Sequence, residues 1–196
     1  MDATELTRSN ARSLPAGDAD GGPVQAALAC TAGLAAATAI AAIAGTVNPG
    51  LVSSAPPHPT LHPTLAAAAS ILVNNARVLA LPYGLLILRL DNVRWGRILG
   101  SALLLGVLGA NTVTVGLALG RRQVRLIPNQ PHLPLEWAAA GLSASVWARA
   151  VVCRRRHPVG CTQVADGRTA AVTAAITVLL LAASAGVEVL LTPHAA

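Results

Sequence analysis

The chain has 196 residues, of which 54% are hydrophobic and only 11% charged, and its mean hydropathy is +0.58. Soluble domains carry about a quarter charged residues, so this composition excludes an ordinary soluble domain and indicates a membrane protein. The net charge of +6 comes with 14 basic residues, all Arg, in short runs beside apolar segments and without an RNA-binding aromatic motif, which excludes nucleic acid as the expected partner.

A polar segment, residues 1–22, precedes the first apolar stretch and has no periodic apolar face, so we predict a disordered cytoplasmic tail. Residues 23–45 are long enough to span a bilayer but consist largely of Ala. We interpret them as the first transmembrane helix, with a cleaved signal sequence as the open alternative. Residues 46–64 hold five Pro and predict an extended external loop, in which His58 and His62 are solvated and do not form a metal pair.

The second predicted span, residues 65–88, carries Asn74, Asn75 and Arg77 near its middle. Polar residues at this depth usually face the interior of a bundle. A helix turns by about 100° per residue, so these three side chains cannot share one narrow face. Pro82 predicts a kink, because it lacks the N–H that the helix requires and frees a carbonyl that a neighbouring helix must satisfy.

The third predicted span, residues 98–119, contains glycines that allow close helix approach and Asn111, which can form hydrogen bonds across helices. No G-x-x-x-G pair falls within this span, so no dimerisation motif is predicted. The fourth predicted span, residues 134–152, begins at Pro134 with Glu136 in its first turn. A Pro near the first helical position and an acid near the helix N-terminus are both typical of a helix start.

The fifth predicted span, residues 169–191, is apolar until Glu188. We therefore expect an all-α fold, a polytopic membrane helix bundle of about five transmembrane helices comprising residues 23–196. Nine of the 14 Arg fall on the side shared by the tail and the links after the second and fourth spans, against three on the other side. The positive-inside rule then places the amino terminus in the cytoplasm and the protein in the inner (cytoplasmic) membrane. Cys153 and Cys161 flank an Arg-rich loop on the cytoplasmic side, where a disulfide is not expected.

Alternation of five spans brings the polar residues of four helices into the outer half of the membrane. We expect an outward-facing polar cluster in which Glu136 or Glu188 pairs with Arg77; the alternative is that these groups only satisfy one another and fix helix register. His132 and Glu136 form H-x-x-x-E, but two ligands make no metal site, so no metal, other cofactor or catalytic residue is predicted. The predicted cluster contains Asn74, Asn75, Arg77, Asn111, His132, Glu136 and Glu188.

An Asn pair in the second span is followed by GANTVTVG in the third, PHLPLEWAAAGLSA at the fourth and AGVEVLLTP in the last. This order, over about residues 65–193, resembles the stage II sporulation protein M family, in which Pro-His-Gly and a following Glu are matched by a final Glu before Thr-Pro. Leu133 stands where the family usually has Gly. The matching positions are Pro131, His132, Glu136, Glu188, Thr192 and Pro193, with Asn75 and Asn111 as counterparts of the family's asparagines.

The resemblance implies a non-enzymatic integral membrane scaffold that recruits or anchors cell-envelope partners involved in peptidoglycan remodelling, as sporulating members do during engulfment. Expected partners are membrane lipids and other membrane or cell-wall proteins, with oligomerisation left open. The Lys-free, Ala-rich composition is typical of a GC-rich genome, for example an actinobacterial one. The second hypothesis is a transporter or permease subunit in which Asn74, Arg77 and Glu188 line a path. An enzyme would need a nucleophile that the sequence does not offer.

Overall fold

The structure, a computed structural model, describes residues 22–48, 50, 65–121, 130–156 and 167–191. These residues form helices and turns, with no strand among them, which confirms the all-α prediction. The predicted tail before Gly22 and the loop positions of His58 and His62 lie outside the described residues. The helices are α1 (Pro23–Val47), α2 (Leu65–Leu79), α3 (Leu81–Ile87), α4 (Arg94–Arg121), α5 (Leu133–Arg156) and α6 (Gly167–Leu191), with a 3-10 turn at Leu90–Asn92.

Three helices, α1, α4 and α6, are each long and apolar enough to cross a membrane, and the bent pair α2–α3 makes a fourth if it counts as one span. Large apolar side chains on these three helices face outward; Ile40, Leu105 and Leu179 are 69%, 74% and 69% exposed. Contiguous apolar surface of this kind is unfavourable in water and ordinary in lipid. The fold is therefore compatible with a multi-pass membrane protein. The fourth predicted span, residues 134–152, corresponds to α5, which does not meet the same criterion of length and hydropathy.

The central helix of the bundle is α5, which packs against α1, α6 and α3. Its buried face includes Ala139, Ser143, Trp147 and Val151, which recur every fourth residue and so form one stripe along the helix. Trp147 is 2% exposed, and its indole N–H donates a hydrogen bond of 3.0 Å to the Ser101 hydroxyl on α4. Most of α5 is therefore covered by other helices of the bundle.

The backbones of α1 and α4 approach each other closely at Gly116 and Gly120. A Cβ on Gly116 would lie 2.5 Å from the carbonyl oxygen of Thr38, and one on Gly120 would overlap the carbonyl oxygen of Ala42. Gly116 and Gly120 form a G-x-x-x-G motif, which was missed because the predicted span ended at residue 119. The motif packs two helices of the same chain, the role that small residues commonly play between membrane helices.

The chain bends by 43° between α2 and α3. Pro82 is buried in the first turn of α3 and supplies no N–H to the preceding turn, so the predicted kink is confirmed. The Ser143 hydroxyl of α5 donates a hydrogen bond of 2.6 Å to the carbonyl of Leu79, the last residue of α2. The central helix thus satisfies a backbone group at the break.

Asp91, in the 3-10 turn, contacts the beginning of α4 and the end of α5 at the end of the bundle opposite to the beginning of α5. Arg154 Nε, near the end of α5, lies 3.2 Å from Asp91 Oδ2, and Arg97 donates a hydrogen bond of 2.9 Å to the Asp91 carbonyl. The link before α4 and the end of α5 therefore share one side, as the predicted alternation requires. Cys153 beside this ion pair is disulfide-bonded, so the expectation that it stays a thiol is wrong. Because disulfides persist in oxidising compartments, this bond opposes the cytoplasmic placement that the Arg count predicts for this end.

Candidate functional site

Three ionisable side chains meet where α5 begins and α6 ends. His132 immediately precedes α5, Glu136 lies in its first turn, and Glu188 lies in the last turn of α6. One ligand-type atom from each residue, an imidazole nitrogen or a carboxylate oxygen, can be chosen so that all three lie within 4.8 Å of one another. His132 and Glu136 are four residues apart and therefore project to the same side of the first turn of α5. We call these three residues the His–Glu–Glu cluster.

Two neighbouring polar residues orient the His–Glu–Glu cluster. Asn75 Nδ2 of α2 donates a hydrogen bond of 2.8 Å to Glu136 Oε1. The Ser184 hydroxyl of α6 donates one of 3.3 Å to the backbone carbonyl of His132. Because Ser184 precedes Glu188 by four residues, both point to the same side of α6. The polar contacts therefore tie together three helices: α2, α5 and α6.

The His–Glu–Glu cluster is partly removed from bulk solvent and has no Arg partner among the described residues. His132 is 7% exposed, and its Nδ1 is buried without a hydrogen-bond partner in the described part of the chain. Glu136 and Glu188 are half-buried. Among residues 22–48, 65–121, 130–156 and 167–191, neither carboxylate forms a salt bridge with an Arg. A compact site with two acidic groups and one unsatisfied imidazole nitrogen results.

The remaining residues of the predicted cluster lie on the outside. Asn74, Arg77 and Asn111 are exposed, and the expected ion pair of Arg77 with Glu136 or Glu188 is not formed. The reason is helical geometry: Arg77 follows Asn75 by two residues, which is a rotation of about 200°, so turning Asn75 toward Glu136 turns Arg77 away. Asn75 takes the place at Glu136 that was predicted for Arg77.

A small cavity of about 70 Å³ opens beside the His–Glu–Glu cluster, between α1, α2, α4 and α5. Its polar lining includes Thr38, Asn74, Asn75, Asn111, Thr112 and Glu136. A volume of this size holds a few water molecules or a hydrated small cation, but not a larger solute. Of the residues predicted to line a transport path, Asn74 lies on this wall, whereas Arg77 and Glu188 are absent from it.

The roles of three residues that position the site or the bundle were not predicted from the sequence. Ser184 carries a usable signal, because it stands four residues before the acid of its helix. Asp91 carries another, as the single acid among the Arg residues of its link. Ser143 carries none, since small hydroxyl residues are common throughout membrane helices.

No protein-family model matches this chain, and neither does any curated protein or solved structure. The resemblance to the stage II sporulation protein M family therefore remains a prediction, and function has to be argued from the geometry.

Proposed function

We propose that this chain is a non-enzymatic, multi-pass membrane scaffold that assembles with another membrane or cell-envelope protein. The observation that carries the proposal is the position of Arg77, which is the only charged residue of α2, is exposed, and has no partner among the described residues. It lies about 18 Å from the beginning of α2, close to mid-bilayer depth. An Arg at that depth is unfavourable by about 3 kcal/mol on insertion scales unless it is paired.

The chemistry around Arg77 defines the partner that would pair with it. Asn74 and Asn111, on α2 and α4, are exposed as well and offer amide donors and acceptors. A complementary surface is a membrane helix that bears a carboxylate at the depth of Arg77 and polar groups beside it. Removing that carboxylate would weaken association by about a hundredfold, which corresponds to about 3 kcal/mol. Following the sequence resemblance, we propose that this partner belongs to the machinery that remodels the cell envelope.

A photo-crosslinking experiment tests the scaffold. Val73 is 49% exposed and lies one turn from Arg77 on the same face of α2, so a photoreactive amino acid placed there reports on a bound helix. We expect one envelope or membrane protein to be crosslinked in intact cells. Arg77→Leu should lower the crosslink yield at least tenfold, whereas Arg94→Leu, which removes an exposed Arg at the start of α4, should leave it unchanged.

Charge reversal distinguishes a specific partner from an accidental neighbour. Arg77→Glu should abolish the crosslink, and changing the partner's carboxylate to Arg should restore it. Unchanged crosslinking in Arg77→Leu would contradict the scaffold proposal.

We further propose five spans, in which α5 is added to α1, the bent pair α2–α3, α4 and α6, and an amino terminus in the cytoplasm. The central position of α5 supports the span, because Ser143 and Ser145 in its middle are buried in the bundle. The excess of Arg on one side supports the orientation, and the disulfide at Cys153 opposes it. Labelling of Cys153 with a membrane-impermeant maleimide in intact cells, before and after reduction, decides between the orientation that the Arg count favours and the one that the disulfide favours.

A channel or permease subunit is the second candidate, and the polar cavity beside the His–Glu–Glu cluster is the observation that favours it. Its 70 Å³ restricts the cargo to water or a small ion. The discriminating measurement is ion flux in proteoliposomes of the purified chain. A flux that Asn111→Leu abolishes would favour the permease, and an absence of flux with intact crosslinking would favour the scaffold.

A further inference from the structure

We propose that His132, Glu136 and Glu188 form a binding site for a divalent transition-metal ion of the Zn²⁺ type. This inference goes beyond the scaffold and does not depend on it. The sequence pair H-x-x-x-E lacks a third ligand, and the fold supplies that ligand from α6, 52 residues beyond Glu136 along the chain.

The spacing of the candidate ligand atoms fits an ion. Three atoms that all lie within 4.8 Å of one another can be placed so that a common centre is at most about 2.8 Å from each. Zn–N and Zn–O bonds are about 2.0–2.2 Å long, so closure requires each side chain to move by less than about 1 Å. Rotations of the two Glu side chains, which are only half-buried, provide that movement.

The second, independent observation is the unsatisfied imidazole. His132 is 7% exposed, and its Nδ1 is buried without a hydrogen-bond partner among the described residues. Buried polar atoms of side chains are normally paired, and an unpaired one is unfavourable. A neutral imidazole nitrogen offers a lone pair, which is what a metal ion requires.

The charge of the site also favours a dication. Two carboxylates lie close together, and no Arg of the described residues pairs with either. Binding M²⁺ neutralises both carboxylates in a region where water is scarce, without moving any helix. An imidazole with two carboxylate oxygens suits Zn²⁺, Fe²⁺ or Mn²⁺ better than Ca²⁺, which prefers six to eight oxygen ligands.

Neighbouring residues already hold the proposed ligands in place. Asn75 donates a hydrogen bond to Glu136 Oε1, and the Ser184 hydroxyl donates one to the backbone carbonyl of His132. Such outer contacts are typical of metal sites and orient the ligands. Glu136 also lines the polar cavity, which gives water and ions a route to the site. With three protein ligands, a water molecule completes a tetrahedral coordination.

The test is metal binding by the purified full-length chain in detergent or nanodiscs. After treatment with EDTA, the protein is titrated with Zn²⁺ and, separately, with Mn²⁺, and bound metal is measured by mass spectrometry. We expect one Zn²⁺ per chain with a dissociation constant of about 1 μM or below, weaker Mn²⁺ binding in keeping with the Irving–Williams order, and a Tm that rises by several degrees at saturating Zn²⁺.

Matched variants locate the site. Glu188→Gln keeps the shape of the side chain and should weaken Zn²⁺ binding at least a hundredfold, and Asn75→Leu should weaken it about tenfold to a hundredfold because only an outer contact is lost. The double variant His58→Gln/His62→Gln removes the two histidines of the Pro-rich segment, which was predicted to be a loop, and should bind Zn²⁺ as the unaltered chain does. Arg77→Leu should also retain the metal, which separates this proposal from the scaffold.

The titration of the unaltered chain decides the proposal even if a variant fails to fold. No stoichiometric binding of Zn²⁺ or Mn²⁺ by the unaltered chain would overturn the site. Equal Zn²⁺ affinity in Glu188→Gln, or loss of Zn²⁺ in the loop-histidine variant, would overturn it as well.

Discussion

Replacing Gly120 by Ala tests whether α1 and α4 are in backbone contact. The added Cβ would overlap the carbonyl oxygen of Ala42 and lie 2.8 Å from its carbonyl carbon and 2.9 Å from the amide nitrogen of Thr46. These are backbone atoms, so no side chain can swing aside, and α1 has to withdraw by about 1 Å. A gap of that size forfeits a quarter to a half of the dispersion attraction across the contact, and overpacking generally costs about 1–3 kcal/mol. We expect the free energy of unfolding to fall by about 2 kcal/mol.

Gly106→Ala on the same helix is the matched control. No heavy atom lies within 4 Å of the Cβ position there, so the substitution adds helix propensity of up to about 1 kcal/mol and removes nothing. Unfolding can be followed in a denaturing-detergent titration by the reaction of a maleimide with Cys30, a free thiol half-buried in α1. The two Gly→Ala changes should differ by about 3 kcal/mol and have opposite signs. Equal stability of both variants would refute the close packing of α1 and α4.

Three further predictions concern the break between α2 and α3, the ion pair of Asp91 with Arg154, and the orientation of the chain in the membrane. Ser143→Ala removes a hydrogen bond to another helix and should lower the free energy of unfolding by about 1–2 kcal/mol. Ser145→Ala, whose hydroxyl bonds within its own helix, should change it by less than about 0.5 kcal/mol. A double-mutant cycle of Asp91→Asn and Arg154→Gln should give a coupling of about 1 kcal/mol, since both side chains are partly exposed; no coupling would mean that the ion pair does not hold this end. For the cytoplasmic orientation, Cys153 should stay inaccessible to an impermeant maleimide in intact cells after reduction, and labelling would reverse the orientation.

The positions of the helices were largely predictable because Pro and Arg mark where apolar runs end. No boundary of the five predicted spans differs from the observed helices by more than four residues. Consecutive spans alternate in direction, so the start of one span and the end of the next share a side. Glu136, at the start of the fourth span, and Glu188, at the end of the fifth, are thereby expected at one end of the bundle, where the structure has them adjacent.

Helix rotation was not predictable, because hydropathy does not report which polar residue of a run points inward. Asn75 and Arg77 both belong to a polar run, and only the packing of α2 on α6 decides that Asn75 reaches Glu136. The end of a helix is equally hard to predict. Gly120 completes the G-x-x-x-G motif with Gly116 only because α4 continues to Arg121, beyond the apolar run that ends at residue 119. Interhelical contacts thus depend on differences of one or two residues, which is finer than segment prediction resolves.

The low hydropathy of α5 follows from its central position. Its 24 residues make a helix about 36 Å long, comparable with its lipid-facing neighbours, yet it carries Glu136, Ser143 and Arg149. A helix surrounded by lipid would be strongly disfavoured with such groups, because hydrocarbon offers them no partner. In this bundle Glu136 and Ser143 form hydrogen bonds with Asn75 and Leu79 of α2, respectively. The apolar surface that a membrane requires is supplied by α1, α4 and α6. Because these helices provide that surface, α5 can cross the membrane as an additional span and can carry a polar site at its beginning.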